Sequence, residues 1–280
     1  MPELPEVETI KRELKPCVTG KTISEIVVLS PKNFSGKKEA AYGHKITKIE
    51  RFGKVLVMAL DNNKYLNAHF KLSGQMLFAK KIGKAVFKNN IPFTHGNVMP
   101  ANTTRIIIKF KDGSALFFND LRKFGWIKLT DRPESPKGVD VLSKKFSPEY
   151  LFEVLRSTRK PIKVTLMDQD RITGIGNIYA NDSLFKSKIH PQRISSSITS
   201  KETHRLHKAI LEEIYKGISD QGSSGADEAF ILPDGSKGKH QRHFLVYQRE
   251  RQPCINCKTI IKRIKHNGRS SYFCPNCQKI

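Results

Sequence analysis

The 280-residue chain has no run of 18 apolar residues, so no segment is built to cross a bilayer as a helix. Its opening residues form neither a basic stretch nor an apolar one, and a secretory signal is not expected. Acidic residues are scarce. Against 50 Lys and Arg stand 26 Asp and Glu, giving a formal net charge of +24 and a pI near 9.9. An imbalance of that sign suits a polyanionic partner, either nucleic acid or an anionic membrane surface. Cysteine is also sparse, with five in all. Without export these are expected in a reducing compartment, where metal binding is favoured over disulfides. Repeats and low-complexity tracts are absent. The length allows two domains with sizeable cores, and the expected setting is the cytoplasm, on nucleic acid and off the membrane.

The organisation changes twice along the chain. Residues 5–14 predict a short helix, with Pro5 in the first turn and Val7, Ile10 and Leu14 on one face. From about 22 to 130 the pattern is that of strands, at 23–29, 46–60, 65–72, 75–79, 105–110 and 115–118. The last two flank Lys111-Asp112-Gly113-Ser114, a strong hairpin signal. Many short strands of this kind predict an antiparallel sandwich or barrel. Residues 80–103 interrupt them with Gly, Asn and Pro and read as a long excursion. Residues 131–146 read as a linker. Helices follow, one started by Ser147-Pro148 and one by the capping box Thr199–Glu202, with Leu206, Ala209 or Ile210, Ile214 and Ile218 at helical spacing. That stripe is expected to be core. Residues 221–238, rich in glycine, read as a flexible loop.

Cys254-x-x-Cys257 and Cys274-x-x-Cys277 are separated by 16 residues. Each pair places two thiolates on one tight turn, and two such turns complete a tetrahedron around Zn²⁺. Four cysteine ligands leave no open position for water, so the zinc is expected to be structural. The last 48 residues carry eleven Lys and Arg against two acids and few large apolar groups. Such a segment needs its metal to fold, and it is expected to hold a basic hairpin against phosphates. Cys17 is expected to be an inert thiol.

Met1-Pro2-Glu3-Leu4-Pro5-Glu6-Val7-Glu8-Thr9 by itself reads as a helix start, its prolines and glutamates matched to the first turn and its dipole. Other motifs follow it in order. They are Gly53-Lys54, His69-x-x-Leu72-Ser73-Gly74, Asp120-Leu121-Arg122-Lys123-Phe124-Gly125, Ile162-Lys163, Leu166-Met167-Asp168-Gln169 and Gly174-Ile175-Gly176-Asn177-Ile178-Tyr179-Ala180. With the four-cysteine segment they span almost the whole chain. In this order the chain resembles the formamidopyrimidine-DNA glycosylases, bacterial enzymes that repair oxidised purines. The resemblance implies an α+β fold of two domains. Residues 1–130 would form a catalytic antiparallel β-sandwich with a short N-terminal helix, and 147–242 a helix–two-turn–helix domain. Residues 243–280 would form the zinc finger.

The implied chemistry is one the residues can support. Removal of Met1 leaves Pro2 with a free secondary amine, whose unperturbed pKa of about 8 provides some unprotonated nucleophile near neutrality. By the resemblance, Glu3 is the general acid/base, Glu6 its supporting carboxylate, and Lys54 belongs with the catalytic group while also touching phosphate. Leu72, Arg122 and Phe124 are the wedge that fills the space of a flipped base. His69, Asn177 and Arg269 are implied phosphate contacts, and Lys163 matches a family lysine near the lesion, although its own surroundings in the sequence read equally as those of a solvated helix lysine. The implied partner is double-stranded DNA carrying a damaged base, bound by a monomer, and the implied cofactor is one structural Zn²⁺. Cysteines 254, 257, 274 and 277 are its ligands.

Some positions depart from the family. Leu72 stands where Met is common. Val246-Tyr247-Gln248-Arg249 replaces the usual Val-Tyr-Gly-Arg. The 80–103 excursion resembles an insertion, and 225–230 looks longer and more acidic than usual. Two alternatives follow. An oxidised-pyrimidine glycosylase of the endonuclease VIII kind is disfavoured by Glu-Leu-Pro-Glu at 3–6. A non-catalytic zinc-finger DNA-binding protein is disfavoured by an intact Pro2 and Glu3.

Overall fold

The computed structural model describes residues 1–225 and 230–280; the acidic run at 226–229 noted above lies outside them. The chain divides into two units, one formed by 1–135 with 218–241, the other by 136–217 with 242–280. No helix among the described residues is long and apolar enough to cross a membrane.

The first unit begins with α1 (Leu4–Val18), four residues longer at its end than the apolar spacing predicts. Its strands are β1 (Ile23–Val28), β2 (Phe34–Ser35), β3 (Ile46–Phe52), β4 (Val55–Leu60), β5 (Tyr65–His69), β6 (Gly74–Ala79), β7 (Val86–Ile91), β8 (Gly96–Val98), β9 (Thr104–Phe110), β10 (Ala115–Asp120) and β11 (Trp126–Thr130). They form a four-stranded sheet in the order β1-β9-β10-β6 and a five-stranded sheet in the order β2-β11-β5-β4-β3. The predicted sandwich is therefore present, antiparallel except where β2 runs parallel to β11. Residues from both sheets share one core, among them Ile26, Met76, Ile108 and Phe118 from the first and Met58, Leu66 and Ile127 from the second, with Val7, Ile10 and Leu14 of α1. The single strand predicted at 46–60 is a hairpin. Phe52 pairs with Val55 across a two-residue turn in which Gly53 takes φ 57°, a left-handed conformation that apolar patterning does not register.

The 80–103 excursion is more ordered than its Gly, Asn and Pro content suggests. It forms the β7–β8 hairpin, whose Phe87 and Ile91 pack with Met99 on Leu77, Ile107, Ala115 and Phe117. These last four lie on β6, β9 and β10 and face away from the shared core. The excursion thus covers the second face of the sheet, which is why all six residues of β10 are buried. Alternation tells two-sided burial from one-sided burial poorly, because a strand covered on both faces is apolar throughout.

Residues 218–241 also differ from the sequence reading, which placed them in the helical domain. Phe230 and Leu232 join the shared core, Ile231 packs with Phe87, and the Pro233 carbonyl accepts from the Phe78 amide at 2.9 Å. Three consecutive apolar residues after a glycine-rich stretch are the physical reason: they have a sheet to bury against.

The second unit contains β12 (Val139–Asp140), α2 (Pro148–Arg156), α3 (Ile162–Leu166), β13 (Ile172–Thr173), α4 (Asn177–Lys186), α5 (Ser200–Ser219), β14 (Lys262–His266) and β15 (Arg269–Phe273). β12 pairs parallel with β13, so part of the segment read as a linker is ordered. Both predicted helix starts form: Ser147 Oγ accepts from the Tyr150 amide at 3.2 Å, and Thr199 and Glu202 cap each other. Leu206, Ala209, Ile210 and Ile214 are buried as the spacing requires.

Asp182, fully buried on α4, holds the segment entering the finger. Its carboxylate accepts from the amides of Leu245, Val246 and Tyr247 at 2.9–3.0 Å. Burial pushes its pKa up to about 6, and the three N–H donors oppose that rise. Because the folded pKa exceeds the unfolded one, this titration favours folding at low pH, a contribution lost as pH rises from about 4 through 6. Asp182→Ala strands three buried donors and is expected to destabilise this unit by about 3 kcal/mol or more. Chemical denaturation, with hydrogen exchange at 245–247, measures the effect; a change below about 1 kcal/mol contradicts this account.

Candidate active site and nucleic-acid interface

The N-terminus is fixed before α1 begins. Glu3 is the N-cap residue, and its amide donates to Glu6 Oε2 at 2.8 Å while its own carboxylate accepts from the Glu6 amide, a capping box made of two glutamates. Pro2, Glu3 and Glu6 are buried, the two carboxylates at 1% exposure each. Glu6 Oε1 also accepts from the Ser223 amide at 2.9 Å, which brings the 221–225 loop onto α1. The approach requires glycine next door, since a Cβ on Gly222 would lie 3.0 Å from Glu6 Cγ and its φ is +78°. Beneath this, Glu8 pairs with Lys11, Arg12 and Arg51. Burial raises the Glu8 pKa, yet these cations bring it below the ordinary carboxylate value. Pro2 carries Met1 on its nitrogen in the full chain, so its amine exists only once that bond is cut.

Lys54 follows Gly53 in the β3–β4 turn and is buried to 6% exposure. His69 ends β5, where it pairs with Val55 of β4 and Trp126 of β11. Its ring lies 5.6 Å from that of Trp126. Burial, with the positive field of Lys71, Lys54 and Lys128, lowers its pKa to about 3. The Lys71 amide donates to Nδ1 at 3.0 Å, so Nδ1 is an acceptor and the neutral ring carries its proton on Nε2. His69 can therefore offer an N–H to a phosphate oxygen without becoming charged.

The wedge residues stand on two loops with a common mount. Leu72 is 37% exposed and Phe124 47%, large apolar side chains that folding leaves uncovered. Asp120, at 0% exposure, holds both loops. Its Oδ1 accepts from Ser73 Oγ and, at 3.2 Å, from the Arg122 amide; its Oδ2 accepts from the Gly125 amide at 2.6 Å. Ser73 Oγ in turn accepts from the Arg122 amide at 3.0 Å. Asn33 donates to the Gly125 carbonyl at 2.6 Å. The Arg122 guanidinium lies 5.2 Å from the Phe124 ring centre, and Lys32 Nζ lies 5.7 Å from it. Asp120 was present in the motif but given no role; an Asp two residues before the amide it accepts is a turn signature that could have assigned one.

In the second unit, the four cysteine sulfurs lie within 4.8 Å of one another, with individual separations of 3.4–3.9 Å. Four thiolates about 2.3 Å from Zn²⁺ stand about 3.8 Å apart, so these residues fit a tetrahedral zinc with no vacant position. Cys254 and Cys274 are buried with Phe185, Val246 and Ile261. β14 and β15 form the expected basic hairpin, closed by Asn267-Gly268 with φ +47° and +71°, as a type I′ turn requires. Arg269 follows that turn and is exposed.

Asn177 starts α4, the second helix of the helix–two-turn–helix element that opens with α3. Its carbonyl accepts from Asn181 Nδ2 at 2.6 Å, and Asn181 Oδ1 accepts from the Tyr272 amide of β15 at 2.7 Å, so helix start and finger are tied through one side chain. Lys163 is not a solvated helix lysine. It is 3% exposed, and its ammonium donates to the Ser270 carbonyl at 2.6 Å and Ser271 Oγ at 2.9 Å. Its direct role is to seat the strand that begins at Arg269. Lys163 and Arg269 also border a cavity of about 270 Å³ with Lys160, Met167 and Asn267.

A buried acidic N-terminus, an apolar wedge in the same unit, and a zinc-finger hairpin locked to a helix–two-turn–helix element define a DNA-processing protein of the zinc-finger type. Matches to family models agree. They cover residues 1–127 (formamidopyrimidine-DNA glycosylase N-terminal domain), 138–228 (formamidopyrimidine-DNA glycosylase H2TH domain) and 251–280 (zinc finger found in FPG and IleRS). Over the full length of both chains, 36% of residues are identical to the formamidopyrimidine-DNA glycosylase of Pelotomaculum thermopropionicum. Similar solved structures include the MutM (Fpg) protein of Thermus thermophilus, with a TM-score of 0.86, 32% identity and 99% and 98% of the two chains covered. A Lactococcus lactis FPG mutant bound to Fapy-dG DNA gives 0.85, 30% identity and complete coverage of both. The chain belongs to the formamidopyrimidine-DNA glycosylase family.

The His69 geometry predicts an uncharged imidazole. Because the folded pKa lies far below the usual histidine value, the folded chain resists a proton that the unfolded chain accepts. His69 thus favours folding above about pH 6.5 and disfavours it as pH falls toward 3. Long-range ¹H–¹⁵N spectra are expected to show the Nε2–H tautomer from pH 5 to 8; an imidazolium signal at pH 6 is the contrary result.

Proposed function

We propose that this chain is a bifunctional DNA glycosylase and abasic-site lyase that excises oxidised purines, 8-oxoguanine and formamidopyrimidines, from double-stranded DNA. It works as a monomer in the cytoplasm. One observation carries the reading: Pro2 and Glu3 are buried at the very start of α1, where Glu6 Oε2 accepts from the Glu3 amide while Glu6 Oε1 accepts from the Ser223 amide. A secondary amine so placed can act on one carbon. Its nitrogen attacks C1′ of the flipped nucleotide, the C1′–N bond to the base breaks, and the proton lost from the attacking amine balances the one the departing base takes up. Glu3 supplies a proton to O4′ as the sugar ring opens, and nitrogen and C1′ form an iminium. That iminium has no N–H to lose and so stays an electron sink. Loss of a C2′ proton then expels the 3′ phosphate, and a second elimination expels the 5′ phosphate. Flipping costs a few kcal/mol, which Leu72, Arg122 and Phe124 offset by filling the helix. His69, Lys54, Asn177 and Arg269 hold phosphates and carry affinity rather than sequence preference.

Borohydride trapping on an abasic-site duplex tests the nucleophile. The protein with Met1 removed is expected to give a covalent adduct, and Pro2→Ala to bind the duplex without one. An adduct in Pro2→Ala that equals the parent's removes Pro2 from this role; no adduct in the parent leaves a non-catalytic DNA-binding protein as the better reading.

A second substrate class has one observation in its favour: a solved Lactococcus lactis FPG complex, 30% identical, contains oxidised-pyrimidine DNA. Cleavage of 8-oxoguanine duplexes is expected to exceed that of thymine glycol duplexes by about tenfold or more, equivalent to about 1.4 kcal/mol of discrimination. The reverse order establishes the pyrimidine reading.

A further inference from the structure

The 80–103 excursion covers a sheet, but its tip does something the cover does not need. Ile91-Pro92-Phe93-Thr94 is a four-residue turn closed by the Thr94 amide donating to the Ile91 carbonyl at 3.2 Å, with Thr94 Oγ1 donating to the same carbonyl at 2.8 Å. Proline sits at its second position and Phe93, with φ +66°, at its third. That geometry is a type II turn, whose third position favours glycine or asparagine because φ is positive. A phenylalanine there is strained, and its side chain is not drawn into the core to compensate: Phe93 is 37% exposed while Phe87 and Ile91 on the same hairpin are buried. A local rule broken without a packing gain is where function is to be sought.

The tip's position supplies the function. Gln75 Nε2 donates to the Pro92 carbonyl at 3.4 Å, and Gln75 and Gly74 pair with Asn119 and Asp120. The tip thus sits at the end of the sheet that carries Ser73 and Asp120, the mount of the wedge loops. On the other side of Asp120, Arg105 donates to the carbonyls of Asp120, at 2.8 Å, and Asn102, at 3.0 Å. A cavity of about 230 Å³ is lined by His95 and Asn97, which follow the tip, and by Asn102, among others. Positive backbone angles recur at the wedge: Leu72 and Phe124 each follow a non-glycine residue of positive φ, Lys71 at +49° and Lys123 at +56°, whereas Phe93 occupies such a position itself. The stretch of chain that carries the tip suits a polyanion. From residue 62 to 111 there are nine Lys and Arg and no carboxylate.

We propose that Phe93 is a further DNA contact, an aromatic side chain presented beside the wedge to stack on a base or sugar of the duplex next to the lesion, and that the β7–β8 hairpin exists in part to hold it there. The proposal rests on the DNA-repair reading above. Bases offer a π-face regardless of sequence, so the contact adds affinity and footprint without choosing among lesions.

Phe93→Gly separates this role from a structural one. Glycine relieves the turn, so thermal stability is expected to hold or rise, while affinity for a duplex bearing a stable abasic-site analogue falls at least about fivefold. The slope of log Kd against log salt is expected to stay unchanged, because no charge is lost. Phe93→Tyr, which keeps the ring, is expected to bind like the parent. Parental affinity in Phe93→Gly overturns the proposal, as does a loss of affinity that tracks a loss of thermal stability. Borohydride trapping by the parent protein distinguishes the two failures. If the parent traps and Phe93→Gly binds normally, only this inference falls; if the parent does not trap, the enzymatic reading falls on its own.

Discussion

Glu6 accepts a backbone hydrogen bond on each of its carboxylate oxygens. The Glu3 amide fixes where the chain enters α1, and the Ser223 amide fixes where the 221–225 loop meets that helix. Two segments more than 200 residues apart are thereby registered to a single buried group, and Pro2 is placed along with them. A buried carboxylate is tolerable only when its lone pairs are taken by well-placed donors. The capping box, the close approach at Gly222 and the packing of Phe230 and Leu232 are the conditions that make it so. The chemistry proposed for the first residues depends on that arrangement, because an amine on a frayed terminus has no fixed target.

Asp120 repeats the device at the wedge. One carboxylate, buried at the end of β10, collects the Ser73 hydroxyl and the Arg122 and Gly125 amides. The exposed Leu72, Arg122 and Phe124 are consequently mounted on a satisfied buried group. Exposed apolar side chains on loops lose their purpose if the loops wander, and preorganisation of this kind lowers the ordering cost when DNA arrives. In both places the functional side chain is held by a neighbour whose role is to accept N–H and O–H donors.

Much of this was legible in the residues. The two cysteine pairs gave the metal site from spacing alone, and Ser147 and Thr199 gave their helix starts, since each signal is local. The strand pattern gave the sandwich for the same reason. What escaped was nonlocal. The 80–103 segment looked irregular because its apolar residues serve the outer face of a sheet built from other strands. Residues 221–238 looked like a flexible loop of the helical domain because nothing in them says that Phe230 and Leu232 find a core formed by distant upstream strands. Lys163 looked like a surface cation, and only the tertiary structure brings Ser270 and Ser271 to its ammonium. The catalytic assignment of Pro2 came from the ordered run of motifs; composition and periodicity offered only a helix start.

The Lys163 bonds carry a thermodynamic corollary. An ammonium buried to this degree tolerates its surroundings through the oxygens it reaches, and two of those oxygens belong to β15. Detaching the hairpin would strip them away and leave a cation in a dry place, so melting of the finger drags α3 with it. The metal-held segment and the helical scaffold should therefore come apart as one cooperative block rather than in sequence, with the free energy of thiolate coordination spread over both.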